Sequence, residues 1–295
     1  MTAHRYEVDN ANELIEEEED KMAIITLTRG TYSGAKDLGQ YLAQKLGYKL
    51  LSRETIIDKL VEYGWVDEKL DRVRQKQLGM LQRMNLEWIH YVACLRAVLS
   101  KEVQDEALVY HGNNGQAALR GFPHILSIKV IADMKYRIKA VRERNEYAID
   151  QKEAIDIIHR IDERRERWSK FLYQTDGNDA SAFDMTIDLS HKSIPDAYEM
   201  IYATISLPQF QPTPKSKKVI ENLTRAAQLR ARIAMEANIV DDEIEVEVNE
   251  GVLNVKGVVH SQDDADKLRE FLARQPEVHE VVSHLAKAPQ EIDAG

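Results

Sequence analysis

Residues 22–28, MAIITLT, form an almost unbroken apolar run with β-branched side chains, the pattern of a strand buried on both faces. Residues 29–36, RGTYSGAK, follow, and then a segment with Leu38, Tyr41, Leu42 and Leu46 at helical spacing. Gly47 supplies a ready left-handed helix stop. Strand, glycine-containing turn, one lysine at the helix end and helix make the layout of a phosphate-binding loop. In such a loop successive backbone N–H groups point inward, the helix N-terminus adds positive potential, and the lysine offsets the outer phosphates.

Against the pattern G-x-x-x-x-G-K-[ST], Gly30 and Lys36 fall in register. Ala35 stands where the last glycine belongs and Asp37 where the hydroxyl residue belongs. If position 35 required a positive φ, its alanine would cost about 1–2 kcal/mol. Asp37 cannot donate to phosphate, although its carboxylate is able to hold Mg²⁺ directly or through water. An ordinary strand–turn–helix with a solvated Lys36 is the competing reading of these residues alone.

Residues 28–38 (TRGTYSGAKDL), 42–48 (LAQKLGY) and 52–54 (SRE) resemble the opening of the cytidylate-kinase-like family. Residues 109–116, 124–132 and 162–168 are similar to its later segments, so the resemblance spans roughly residues 22–205. It implies a P-loop phosphotransferase using ATP and Mg²⁺, with a nucleoside monophosphate, CMP above all, as acceptor. Carried onto this chain, Gly30, Thr31, Tyr32, Ser33, Gly34, Ala35, Lys36 and Asp37 bind the donor nucleotide. Asp37 is the candidate Mg²⁺ ligand and Arg53 the candidate for the acceptor phosphate. The arginines at 137, 142, 164 and 165 resemble the lid clamp of nucleoside monophosphate kinases, where guanidinium groups meet the moving phosphoryl group. Their competing reading is a solvated helix face, since acids interleave with them. After the third strand candidate, His111, Asn113 and Asn114 occupy the place of a Walker B acid. That departure, with Ala35 and Asp37, keeps open a second function: a catalytically degenerate nucleotide sensor.

Five strand candidates, at residues 22–28, 48–51, 107–111, 125–132 and 183–189, are separated by helical segments. They predict a parallel five-stranded P-loop kinase-like sheet flanked by helices. A long helix is expected between residues 67 and 106, carrying Leu81, Met84, Trp88, Ile89, Val92, Leu95, Leu99 and Val103 on one face. Cys94 lies on it among apolar neighbours and reads as a buried structural thiol.

Residues 206–217 are rich in proline and read as a semi-extended linker. Beyond it the pattern predicts helix, hairpin, helix and strand, a small αββαβ domain over residues 218–287. It resembles a BON domain in the hairpin around Gly251 and Gly257 and in the segment 278–285, which implies binding to a membrane surface or a protein partner. Residues 1–21 form an acidic lead-in and 288–295 a tail. Two separate cores are therefore expected, with limited proteolysis releasing a stable fragment of residues 1–205.

The chain has 295 residues, a 43% apolar fraction and a formal net charge of −10. Its length accommodates two domains, and its charge argues against a dedicated nucleic-acid binder. A single cysteine excludes an internal disulfide framework. With no apolar run of transmembrane length and glutamates where a signal peptide is apolar, the expectation is a soluble cytoplasmic protein, free to form a homo-oligomer.

Overall fold

The computed structural model describes residues 23–64, 86–105, 107–112, 114–144, 148–173, 179–237, 239, 244–249, 252–275 and 280–287. The acidic lead-in, Leu81, Met84 and Asn113 lie outside them. Five strands make one parallel sheet: β1 (Ile24–Arg29), β2 (Lys49–Ser52), β3 (Leu108–Gly112), β4 (Ile125–Ile131) and β5 (Met185–Asp188). Their spatial order is β2-β3-β1-β4-β5. β1 is central, with Leu27 opposite His111 on one side and Ile128 on the other. Ile24, Ile25, Thr26 and Leu27 are essentially inaccessible to solvent, which explains their unbroken apolar pattern.

Helices cover both faces. α1 (Ala35–Leu46) buries Leu38, Gly39, Leu42 and Ala43 against the sheet. A Cβ on Gly39 would come 3.3 Å from Leu27 Cδ1, so this glycine sets how closely the helix approaches. α2 (Arg53–Lys59) is capped by Ser52, which accepts from the Thr55 N–H. α3 (Leu86–Asp105) is the described part of the expected long helix, and Cys94 is buried in it. A one-turn helix, α4 (Gly115–Ala118), precedes β4, and α5 (Met134–Arg144) pairs with α6 (Gln151–Tyr173) over the carboxyl edge. Tyr32, Met134, Ile138 and Ile157 pack around the small apolar cluster of Val141, Ala154 and Ile158 that joins these two helices. α7 (Ile194–Ile205) closes the unit, and a Ser193–Asp196 capping box starts the helix.

The proline-rich stretch differs from its expected semi-extended form. Pro208–Phe210 is a 3₁₀ turn whose Phe210 is buried in the sheet's core, and α8 (Pro214–Glu236) begins at once. Thr213 caps it and Pro214 occupies its first turn, where the missing N–H has no intrahelical partner anyway. Through Ile220, Ala227 and Ala231, α8 enters the core containing Leu99 and Val103 of α3. The Thr224 hydroxyl also donates to the Ser100 carbonyl at 3.1 Å. The other face of α8 presents Leu229 and Ile233, joined by its C-cap residue Ala237, to a second core with Leu253, Val255 and Leu268.

That second core lies under β6 (Glu245–Asn249), β7 (Val252–Val259) and β8 (Glu280–Lys287), with α9 (Gln262–Ala273) packed on it. β6 and β7 pair antiparallel and β7 and β8 parallel. The two cores therefore share a helix. Among the described residues no helix is long and apolar enough to cross a membrane.

Sharing of α8 predicts a different proteolysis outcome, with a stable fragment extending past residue 205. A fragment ending at residue 205 strips Ile220, Ala227 and Ala231 from α3, where burying one large side chain is worth about 1.5–3 kcal/mol. Urea unfolding should give a clearly lower midpoint for residues 1–205 than for residues 1–237. Equal midpoints would show that α8 contributes nothing to the first core.

Candidate phosphate site at the carboxyl edge of the sheet

At the end of β1 the chain turns within residues 30–34 and starts α1 at Ala35. The Gly30 N–H donates to the Val130 carbonyl at 3.0 Å, anchoring the loop to β4. Gly34 takes φ 84° as the residue before the helix, and Tyr32 takes φ 57° at the loop tip. The left-handed position is thus 34 and not 35, so Ala35 is helical and bears none of the strain considered for it. A Cβ at Gly34 would lie 2.7 Å from Tyr136 Oη and 2.9 Å from Leu189 Cδ1, which makes glycine necessary there twice over.

No side chain caps α1, and its first helical backbone bond runs from the Leu38 N–H to the Gly34 carbonyl. The N–H groups of the first turn are accordingly left to an outside acceptor. The Ser33 hydroxyl, 1% exposed, has no hydrogen-bond partner, and it lies 3.7 Å from where a Gly30 Cβ would stand. A buried hydroxyl without a partner is uncommon, and here it sits in a turn at a helix N-terminus, beside N–H groups that also lack an internal acceptor.

Two arginines from different helices converge on this loop. Arg137 of α5 donates through Nε to the Thr31 carbonyl at 2.7 Å and is paired through Nη2 with Asp162 of α6. Arg165 of α6 donates through Nη1 to Thr31 Oγ1 at 2.9 Å. Burial, then the neighbouring Arg29, pull the Arg165 guanidinium down to about 10, with Asp162 opposing; it remains a cation at neutral pH. α6 is further pinned to the sheet edge by Asn114 Nδ2 donating to Ser169 Oγ at 2.6 Å. Between these elements lies a cavity of about 260 Å³, lined by Arg29, Lys129, Arg137 and Arg165 against Asp162 and Glu166. Its cations outnumber its acids, which suits a polyanion.

Of the residues singled out in the sequence, Gly30, Thr31, Tyr32, Ser33, Gly34 and Ala35 make the turn and helix start. Lys36 lies exposed in the first turn of α1, where it forms no ion pair among the described residues. Arg137 and Arg165 reach the loop. Arg142 and Arg164 are exposed, and neither is hydrogen-bonded to it among the described residues. Arg53 opens α2 at the same sheet edge, and its charge reaches Arg165. Asp37 carries an ion pair to Arg144 Nη2 at 2.8 Å.

Sequence reasoning assigned no site role to Arg29, Lys129 or Arg144. The first two were legible only as strand ends on the carboxyl edge; Arg144 had no signal beyond its place at a helix terminus. His111, at the carboxyl end of β3, is 4% exposed with Nδ1 buried and unpartnered.

The divalent cation implied for such a loop finds a poor donor set here. Position 37 offers a carboxylate already bonded to a guanidinium, and the last side chain of β3 is a histidine within electrostatic reach of Arg29 and Lys36. Among the described residues no three His, Cys, Asp or Glu side chains group to hold a metal. The loop itself thus offers such a cation one carboxylate, half exposed and paired with Arg144.

Comparison with known proteins gives a match between residues 24–191 and the model of the cytidylate kinase-like family. Curated proteins yielded no match. Among solved structures, an uncharacterized protein from Eubacterium ventriosum is 19% identical at a TM-score of 0.49, over 62% of this chain and 98% of that one. A shikimate kinase from Acinetobacter baumannii in complex with shikimate is 14% identical at 0.38, over 63% and 94%. A gluconokinase from Sinorhizobium meliloti is 10% identical at 0.39, over 63% and 93%.

Two buried histidines, His111 near the carboxyl end of β3 and His124 just before β4 at the opposite edge of the sheet, give the fold a pH signature. Burial, then Arg29, lower the pKa of His111, with Glu54 opposing; burial, then Lys217, lower that of His124. The unfolded chain therefore binds protons below about pH 6.5 that the folded chain resists, so stability falls as pH drops through that range. Denaturation midpoints should decline from pH 7.5 to 5, each ring adding at most about 1.4 kcal/mol per pH unit. His111→Gln should flatten part of the slope. An unchanged slope in that variant would mean His111 titrates alike in both states.

Proposed function

The chain belongs to the cytidylate kinase-like family, and from that premise we propose a phosphotransferase that moves the γ-phosphoryl group of ATP to a nucleoside monophosphate. CMP is the acceptor that the family name suggests. The observation that carries the reading is the convergence of Arg137 and Arg165 on Thr31, in a loop that opens an uncapped helix.

In this reading the N–H groups at the start of α1 and the Ser33 hydroxyl take the donor's phosphates. Lys36 brings its ammonium to their outer oxygens. Arg137 and Arg165 lie where charge gathers on the moving phosphoryl group, and Arg53 faces the acceptor's phosphate. A phosphate monoester is largely a dianion at neutral pH, its second pKa being about 6, so the attacking oxygen needs no base. Catalysis of this kind is positioning and electrostatics in a partly dry site.

Two observations favour a second reading, a nucleotide sensor without turnover: Asp37 tied to Arg144, and His111 in place of an acid at the end of β3. There the αββαβ unit of residues 218–287 would deliver the signal to a membrane surface or protein partner.

A transfer assay with ATP and a panel of monophosphates separates the two. For the enzyme, Lys36→Ala and Arg165→Ala should each lower kcat about a hundred- to a thousandfold, the cost of removing one group aimed at transition-state charge. Arg142→Ala should stay within about threefold, as expected of an exposed charge away from the reacting atoms. ATP binding by wild-type protein with no transfer to any monophosphate would replace the enzyme by the sensor.

A further inference from the structure

The poor fit for a divalent cation coincides with an arginine placed to replace its charge. Position 37 is where a phosphate loop supplies the hydroxyl that meets the nucleotide's metal ion. Here the Asp37 carboxylate accepts from Arg144 Nη2 at 2.8 Å. The same guanidinium lies over the Tyr32 ring, with Cζ 6.0 Å from the centroid. Tyr32 is fixed in turn by its left-handed backbone and by packing against the apolar cluster between α5 and α6. One residue of the loop and one of the first helical turn thus hold a single cation beside the start of α1.

We infer that Arg144 supplies at this loop the positive charge that a divalent cation supplies elsewhere, so that the nucleotide's phosphates are bound without a metal. A guanidinium is suited to this because it is planar, always charged, and matches two phosphate oxygens at once. Both partners of its pair with Asp37 are half exposed, at 42% and 46% of their side chains. Exposed pairs of this kind are weak. A triphosphate with several negative oxygens competes well for such an arginine, while the Tyr32 ring keeps it within reach. The role is carried by a side chain on α5 and involves no group transfer. Arg144 binds and positions, and the inference rests on the phosphate-loop part of the proposed function.

Calorimetric titration of the full chain with a non-hydrolysable ATP analogue, in Mg²⁺ and in EDTA, tests it. Wild-type Kd should change by less than about threefold on removing the metal. Arg144→Ala should weaken binding in EDTA about tenfold or more, the loss expected of a charge-assisted bond to phosphate. Arg144→Lys should recover part of it, since an ammonium keeps the charge and loses the fork. Thermal melts should be nearly unchanged in both variants because the side chain is half exposed. Wild-type binding that requires Mg²⁺ overturns this inference alone. Arg144→Ala binding as tightly as wild type in EDTA also overturns it. Absence of binding in both buffers overturns it together with the phosphate-loop reading.

Discussion

Passage from β1 into α1 depends on the left-handed backbone at Gly34. With φ 84°, the chain reverses without a Cβ, which would otherwise meet Tyr136 and Leu189 at 2.7 and 2.9 Å. That turn aims the helix N-terminus back over the carboxyl edge of the sheet and leaves its first N–H groups without an internal acceptor. A carbonyl or carboxylate cap would close such a site; here the preceding residue has no side chain to offer. Thr31, just past the strand end, becomes the point where Arg137 and Arg165 attach. The loop, the lid-like pair α5 and α6, and the strand edge are therefore one electrostatic unit.

Charge in that unit is unbalanced by construction. Arg29 and Arg53 each lie within electrostatic reach of Arg165, and Asp162 is shared with Arg137. Gathering like charges around a partly buried space costs stability, and a bound polyanion relieves it. The apolar cluster beneath Tyr32 and the Asn114–Ser169 bond hold α6 in place against that repulsion. The shared helix α8 buttresses the sheet from its other side through α3.

Much of this was legible in the residues. The apolar run of β1, the helix stop at Gly47, and the strand–turn–lysine–helix layout each reflect a local rule. They appear in the structure as the sequence implies. Arginines were legible as a group and not one by one. Selecting Arg137 and Arg165 over Arg142 and Arg164 requires knowing which helix face meets Thr31, a tertiary fact. Strain feared at Ala35 vanished because the loop puts its positive φ one residue earlier. The proline-rich stretch misled because Thr-Pro reads equally as a linker or as a capped helix start. Only the small side chains Ala227 and Ala231, which allow α8 close to α3, decide between them, and their partner lies on a helix far away in sequence.

Backbone amide resonances offer the most direct view of the central claim, that residues 30–36 cradle phosphate. ¹H–¹⁵N spectra recorded during titration with ATP should show the largest shifts at the N–H groups of residues 31–36, with the Arg137 and Arg165 Nε–H signals moving alongside. Saturable shifts confined to other parts of the chain, with residues 31–36 unmoved, would contradict the account.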